Sequence, residues 1–188
     1  MRAPAVFSSI AAPVLLIGGW LLAESRQPAQ FDPLRDTISD LAAADATSPH
    51  IMTIALAGVG LAHVVTALSL TEIRRTGRLL LGAGGVATAL VALFPLPGNG
   101  GSSPAHTAAA TTAFLLLAVW PLFGAGRAGE TTALVRSRVT HGAGVLLALV
   151  GWFGITLWLG GPVGLAERVA AGAQAIWPLL VVQALRRP

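Results

Sequence analysis

The stretch PAVFSSIAAPVLLIGGWLLA, residues 4–23, establishes that part of this chain folds in lipid, because it contains no charged side chain. A helix needs about 20 predominantly apolar residues to cross the hydrocarbon core of a bilayer. A secretory signal peptide has a shorter apolar region of roughly 7–15 residues, and Leu21-Leu22-Ala23 is a poor cleavage site. The sequence therefore predicts that residues 4–23 form a retained transmembrane helix.

The composition of the whole chain agrees with this prediction. The 188 residues are 54% hydrophobic and only 11% charged, whereas a soluble domain carries about 25% charged residues. Cysteine is absent, which excludes disulfides, thiolate metal sites and cysteine catalysis. All 12 basic residues are arginines that lie in short segments between apolar runs, without interleaved aromatic residues. This pattern excludes nucleic acid as a partner and is typical of topology signals in membrane proteins.

Five further apolar runs are long enough to cross a membrane. The six predicted spans cover residues 4–23, 49–70, 79–96, 105–125, 139–159 and 168–185. Small residues within these runs, such as Gly60 and Gly85, would let helix backbones approach closely, as membrane bundles require. The predicted fold class is an all-α membrane protein, a six-transmembrane-helix bundle that forms a single domain over residues 1–188.

The placement of the arginines predicts the orientation of the bundle. If the N-terminus lies in the cytoplasm, nine arginines fall on the cytoplasmic side and three on the other side. The nine are Arg2, Arg74, Arg75, Arg78, Arg127, Arg136, Arg138, Arg186 and Arg187, and the three are Arg26, Arg35 and Arg168. This positive-inside bias predicts a multi-pass protein of the bacterial inner membrane with both termini in the cytoplasm.

The first connection, residues 24–48, is the only long one and carries most of the acidic residues. Asp32 and Pro33 form a helix-start pattern, with an N-cap followed by proline at the first helical position. Leu34, Ile38 and Leu41 are spaced to form one apolar stripe. We therefore predict a short amphipathic helix over residues 32–41 that lies at the outer interface.

Several short motifs resemble those of a six-span membrane family known as domain of unknown function 998. They are Thr37-Ile38-Ser39-Asp40-Leu41 before the second span, Phe94-Pro95 at the end of the third, His106 at the start of the fourth, and Gly164-Leu165-Ala166-Glu167-Arg168 followed by Trp177 in the sixth. They occur in the right order over nearly the whole chain. The resemblance implies a six-helix bundle and no established activity.

The same motifs all fall at predicted outer ends of helices. We therefore expect one outward-facing polar pocket built from Asp36, Ser39, Asp40, His106, Glu167 and Arg168, with Arg35, Asp45 and His50 nearby. Within it, Asp40, His106 and Arg168 are expected to meet, because ionisable groups near hydrocarbon tend to pair, face a cavity or serve a function.

Three interpretations of this pocket are open. In the first, Asp36 or Asp40 pairs with Arg168 and the residues act as a structural lock on the first connection. In the second, the pocket is the active site of a metal-assisted or acid–base hydrolase or transferase acting on a lipid. In the third, it binds or transports a membrane lipid or small amphiphile without catalysis. The sequence does not decide whether the protein is an enzyme, and it assigns no catalytic residue.

The cofactor expectations follow from the same residues. If a divalent metal is bound, its ligands would be Asp36, Asp40 and His106. Haem is disfavoured, because His50 and His63 are 13 residues apart, which leaves them about 140° apart around one helix. His63 is expected to be a neutral core histidine bonded to a backbone carbonyl. A homodimer or another membrane protein is a plausible partner for so small a bundle.

Overall fold

A computed structural model describes residues 2–124 and 133–186, with the backbone alone for residues 133–140. Within these ranges six α-helices follow one another: α1 (Ala3–Glu24), α2 (His50–Ser69), α3 (Arg75–Leu93), α4 (Pro104–Gly124), α5 (Ala133–Leu159) and α6 (Val163–Arg186). All six are long and apolar enough to cross a membrane. The predicted fold class, an all-α protein with six membrane-spanning helices, is confirmed.

The helices pack mainly against their neighbours in sequence, and α6 closes the bundle by packing against both α1 and α5. Close backbone contact holds α2 against α3: a Cβ atom added at Gly60 would lie 2.6 Å from the Gly85 carbonyl oxygen. Glycine at such a point allows the van der Waals contact that drives helix association in lipid. The end of the bundle where α1, α3 and α5 end and α2, α4 and α6 begin is called the loop-covered end below.

Four helix boundaries differ from the predicted spans by more than one residue. Helix α3 begins at Arg75 rather than at residue 79, and α5 begins at Ala133 rather than at residue 139. Helix α3 ends at Leu93, before the predicted residue 96, because a residue that precedes proline disfavours the helical conformation and Pro95 follows Phe94. Helix α6 begins at Val163, five residues before the predicted start at Arg168. The predicted span left out residues 163–167, among them Glu167, whose side chain finds partners within the protein, as described below.

The predicted helix over residues 32–41 is not present as a continuous helix. The structure has a turn at residues 33–35 and a short 3-10 helix at Asp40–Ala42. Asp36 accepts a hydrogen bond from the Asp32 backbone N–H at 2.7 Å, and Asp40 accepts one from the Thr37 backbone N–H at 2.7 Å. Such local side-chain bonds compete with helical hydrogen bonding, and they fold the segment into two turns.

The first connection nevertheless covers the bundle rather than projecting from it. Ile38 and Leu41 are buried at 2% and 0% exposure, although Leu34 is 54% exposed. The Leu165 backbone N–H donates to the Leu34 carbonyl at 3.1 Å, which fastens the connection to α6. The connection thus forms a lid of residues 24–49 over the bundle.

Several residues used to predict the orientation lie outside this description. The side chains of Arg127, Arg136, Arg138 and Arg187 are among them. The orientation therefore stays a prediction.

Candidate functional site

Glu167, in the second turn of α6, is the centre of the polar cluster at the loop-covered end. Its side chain is 5% exposed. Its carboxyl group accepts a hydrogen bond from the Ile38 backbone N–H, and its Oε1 atom lies 3.2 Å from Ser39 Oγ. A carboxyl group so far from water needs partners of this kind. The lid supplies both of them.

His106, in the first turn of α4, reaches the same serine from the opposite side. Its Nε2 atom lies 3.1 Å from Ser39 Oγ, and its Nδ1 atom lies 2.9 Å from the Phe94 carbonyl oxygen. The imidazole is 6% exposed, and these two contacts fix its orientation. Glu167, Ser39 and His106 therefore form one continuous line of hydrogen bonds, called the polar line below.

The directions of these hydrogen bonds determine how many protons the polar line holds. A carbonyl oxygen only accepts, so His106 Nδ1 carries a proton and donates it to Phe94. The single proton of the Ser39 hydroxyl can go to only one neighbour. If Ser39 donates to Nε2, then Glu167 must be protonated to donate to Ser39. If Ser39 donates to an ionised Glu167, then Nε2 must be protonated and His106 is a cation.

Each arrangement contains one more proton than an ionised Glu167 beside a neutral His106 would contain. In each of them, the net charge of the Glu167, Ser39 and His106 side chains is zero. They interconvert when that proton passes through the Ser39 hydroxyl. The polar line is therefore chemically able to move a proton between a carboxyl group and an imidazole, which is what general acid–base chemistry requires.

Arg168 takes part in a different contact on the other side of α6. Its Nε atom donates to Glu24 Oε1 at 2.8 Å, and its Nη2 atom lies 2.5 Å from the same oxygen in a close ionic contact. Its Nη1 atom donates to the backbone carbonyls of Asp36 at 2.7 Å and Gly164 at 3.0 Å. The carboxylate that pairs with Arg168 is thus Glu24, at the end of α1, and the lid contributes a backbone oxygen.

The aspartates of the lid bind groups within the lid or on the neighbouring connection. Asp40 Oδ2 accepts from both the backbone N–H and the hydroxyl of Thr37, each at 2.7 Å. Asp45 accepts from the Asn99 backbone N–H at 2.7 Å and joins the lid to the connection between α3 and α4. Arg35 is exposed and lies 3.7 Å from Asp32. His50, the first residue of α2, is exposed as well.

The structure brings no metal-binding group together in the part of the chain that it describes. No set of three or more His, Asp or Glu side chains there is placed to hold a metal ion. Of the expected ligands, Asp36 and Asp40 bind backbone N–H groups of the lid, and His106 uses both ring nitrogens in hydrogen bonds. The metal site expected from Asp36, Asp40 and His106 is not formed.

The polar line faces a groove of about 410 Å³ between α4 and α5. Six polar residues line its loop-covered end: Thr37, Ser39, Asp40, His106, Thr107 and Glu167, and Thr111 follows one turn along α4. Farther along it, the walls include Phe114, Leu115, Val150 and Phe153, whereas Leu157 lies near the end of α5 and thus near the loop-covered end. The rings of Phe114 and Phe153 lie 5.1 Å apart and connect the two helices. Asp40 and His106 thus line one groove, and Arg168 is not among the described residues that line it.

Four residues contribute to the site in ways that the sequence did not predict. Glu24 ends the first apolar run, and nothing in its spacing connects it to Arg168, 144 positions later. The Phe94 carbonyl is a backbone group, which a search for polar side chains does not find. Phe114 and Phe153 were counted only as apolar span residues. An acid that directly ends a transmembrane span is the one signal that could have identified Glu24.

The fold and the polar cluster define a multi-pass membrane protein with a lid fastened over one end of a six-helix bundle. The chain belongs to the family described as protein of unknown function, DUF998, whose model matches residues 10–184. This finding confirms the family resemblance of the sequence motifs. No curated protein and no solved structure matches the chain.

Proposed function

We propose that this protein binds a membrane amphiphile, with the apolar chain between α4 and α5 and the polar head at Ser39, His106 and Glu167. The observation that carries the proposal is the groove of about 410 Å³, polar at the loop-covered end and apolar along its length. Sites for small molecules have volumes of about 300–1,000 Å³ and combine apolar walls with a few placed polar groups. The two parts of the groove match the two parts of an amphiphile.

The polar end of the groove favours a neutral or cationic head group. Asp40 and Glu167 contribute two carboxyl groups, and the described residues that line the groove include no arginine. An anionic phosphate would lack the arginine contacts that usually bind it. A hydroxyl or amine could instead donate to Glu167 or Asp40.

The apolar part of the groove is the proposed binding site for the hydrocarbon chain of the amphiphile. His106 and Leu115 both line the groove and are nine residues apart on α4, which corresponds to about 14 Å of helix length. Since α4 and α5 both face lipid in a six-helix bundle, the chain could enter sideways from the bilayer. With the arginine distribution described above, the head group would lie at the outer face of the bacterial inner membrane.

We assign the structural lock to a separate set of contacts. Arg168 binds Glu24 of α1 and the Asp36 carbonyl of the lid, and its side chain is only 10% exposed. This contact joins α1, α6 and the lid without using the groove. Arg168 therefore belongs to the structural lock, whereas its neighbour Glu167 belongs to the proposed binding site.

A photoreactive long-chain alcohol with a diazirine near the end of its chain tests the binding proposal in lipid nanodiscs. We expect crosslinks on the facing sides of α4 and α5, at Phe114 and Phe153, and we expect excess unlabelled alcohol to suppress them. Crosslinks spread evenly over lipid-facing residues such as Ile54 and Leu61, without competition, would contradict the proposal.

A second candidate function is supported by one contact, the 3.1 Å approach of His106 Nε2 to Ser39 Oγ. In an acyl hydrolase or transferase, Ser39 Oγ would attack an ester carbonyl while Nε2 takes its proton and then passes it to the departing alcohol. The Phe94 carbonyl would orient the imidazole. An alkyl fluorophosphonate should then label wild-type protein at Ser39 and leave Ser39→Ala unlabelled. If Ser39 is not labelled, the hydrolase or transferase function is contradicted and amphiphile binding is the remaining proposal.

A further inference from the structure

A second cavity, of about 60 Å³, lies inside the bundle behind the polar line. Four residues line both this cavity and the groove and form the wall between them: Ser39, Ala110, Phe114 and Glu167. Ser39 and Glu167 are the polar part of that wall. The polar residues deeper in the cavity are His63 of α2, Thr88 of α3 and Gln174 of α6, and most of the other walls are apolar. Membrane proteins seldom place polar side chains at this depth unless they face a cavity or one another.

His63 is the residue in this cavity that the fold does not explain. It is 1% exposed, and its buried Nδ1 atom has no hydrogen-bond partner among the described residues. The expected bond to a backbone carbonyl is not made by Nδ1. Leaving a buried donor or acceptor without a partner is unfavourable, because the group loses its hydrogen bonds to water. Water in the cavity would remove that cost.

The cavity has the size and the partners that water requires. A buried water needs about 10–15 Å³ of such space and two to four polar neighbours, so 60 Å³ admits a few molecules. Thr88 Oγ1 donates to the Gly84 carbonyl at 2.9 Å, and Gln174 Nε2 donates to the Phe114 carbonyl at 2.7 Å. Each of these side chains retains an oxygen lone pair that can accept from water.

The spacing of Glu167 and Gln174 on α6 gives the length of the cavity. Glu167 and Gln174 are seven residues apart, which places them on one face of the helix and about 10 Å apart along its axis. A few hydrogen-bonded water molecules span that length. His63 and Glu167 are the only ionisable residues among those described in the cavity lining. The charged groups near Glu167 outside the cavity are Arg168, Asp40 and His106.

We propose that this cavity is a hydrated internal site, in which a short chain of water molecules joins His63 to Glu167. Through Glu167 and Ser39, the chain carries protons between the middle of the bundle and the polar line. This function goes beyond amphiphile binding and is independent of it. The water chain gives His63 Nδ1 a hydrogen-bond partner. It also extends the proton path of the polar line into the membrane-spanning part of the protein.

Solid-state nuclear magnetic resonance in lipid bilayers tests the proposal through magnetisation transfer from water to ring N–H groups. The His63 signal is assigned by its loss in His63→Gln. We expect strong transfer to His63. Trp120 is the matched control in the same sample, because its buried Nε1 atom also lacks a partner but Trp120 does not line the cavity. No transfer to His63, or equal transfer to Trp120, would overturn the hydrated site.

The same measurement on Glu167→Gln tests the proton path. Glutamine keeps the polar contacts but removes the ionisable carboxyl group, so we expect proton exchange between His63 and water to slow at least about tenfold. Asp45→Asn is the control, since Asp45 is an acid at the same end that lines neither the cavity nor the groove, and it should leave the rate unchanged. An unchanged rate in Glu167→Gln would overturn the path through Glu167.

Discussion

The carboxyl group of Glu167 and the backbone N–H of Ile38 form a hydrogen bond across 129 positions of the sequence. This bond fastens the lid to α6 at the place where Ser39 and His106 complete the polar line. A buried carboxyl group that binds a loop backbone is costly to leave unpaired. The position of the lid and the chemistry of the groove therefore depend on the same residue.

The first prediction concerns the protonation of the polar line. In Glu167→Gln, the amide oxygen can accept from Ile38 and the amide nitrogen can donate to Ser39, as a protonated glutamate would. We expect the free energy of unfolding, measured by SDS titration, to stay within about 1 kcal/mol of wild type. Glu167→Leu leaves the Ile38 N–H unpaired and should lose about 1–3 kcal/mol. Equal losses in both variants would show that an ionised Glu167 is required.

The second prediction concerns the structural lock. Glu24 and Arg168 are 17% and 10% exposed, so breaking the pair leaves a largely buried charge, at a cost of about 3 kcal/mol. In a double-mutant cycle, Glu24→Gln and Arg168→Met should be coupled by more than about 1 kcal/mol.

The exposed pair of Arg35 and Asp32 is the matched control for this cycle. Its side chains are 81% and 46% exposed and lie 3.7 Å apart, so the coupling energy should stay below about 0.5 kcal/mol. Equal coupling energies for the two pairs would refute the assignment of the lock to Arg168.

The third prediction concerns the close contact between α6 and the lid. A Cβ atom added at Gly164 would overlap the Asp36 carbonyl oxygen and lie 2.7 Å from the Pro33 carbonyl oxygen. Gly164→Ala should therefore displace the lid, lower the free energy of unfolding by about 1–3 kcal/mol and increase proteolysis of the lid. Gly151→Ala in α5 is the control, because a Cβ atom there meets nothing within 4 Å. A stable, protease-resistant Gly164→Ala would mean that the lid is not packed as described.

The fourth prediction concerns orientation. The chain has no cysteine, so single cysteines can report each side without background. Ser102→Cys places an exposed thiol at the loop-covered end, and Thr76→Cys places one at the opposite end. In intact cells, a membrane-impermeant maleimide should label Ser102→Cys and should label Thr76→Cys only after lysis. The reverse pattern would place the polar line on the cytoplasmic side.

Periodicity and length were enough to predict the six helices, because the requirement for an apolar span acts locally on each segment. The same local reasoning misjudged the lid: Asp32, Pro33 and the stripe of Leu34 and Ile38 favoured a helix. The competing bonds of Asp36 and Asp40 to nearby N–H groups formed turns instead.

The candidate residues could be named from the sequence, but their pairing could not. The partners of Glu167 and Arg168 are set by how α1, α4 and α6 pack in three dimensions. A spacing of 144 positions, as between Glu24 and Arg168, carries no local signal. Backbone partners such as the Phe94 carbonyl have no signature in the residue type at all.

The most direct test of amphiphile binding fills the groove without disturbing the fold. Gly154 lines the groove, whereas Gly151, one turn earlier on α5, is exposed and does not line it. A Cβ atom added at either position meets nothing within 4 Å, so phenylalanine fits at both. Gly154→Phe would place its ring at the groove, and Gly151→Phe serves as the matched control for added apolar bulk.

The measurement is the amount of long-chain alcohol retained per protein molecule, determined by native mass spectrometry after delipidation and reloading. We expect wild type and Gly151→Phe to retain about one molecule each, and Gly154→Phe to retain at least about tenfold less while unfolding at the same SDS concentration. Equal retention by all three proteins, or by none of them, would contradict the proposal that the groove between α4 and α5 binds an amphiphile.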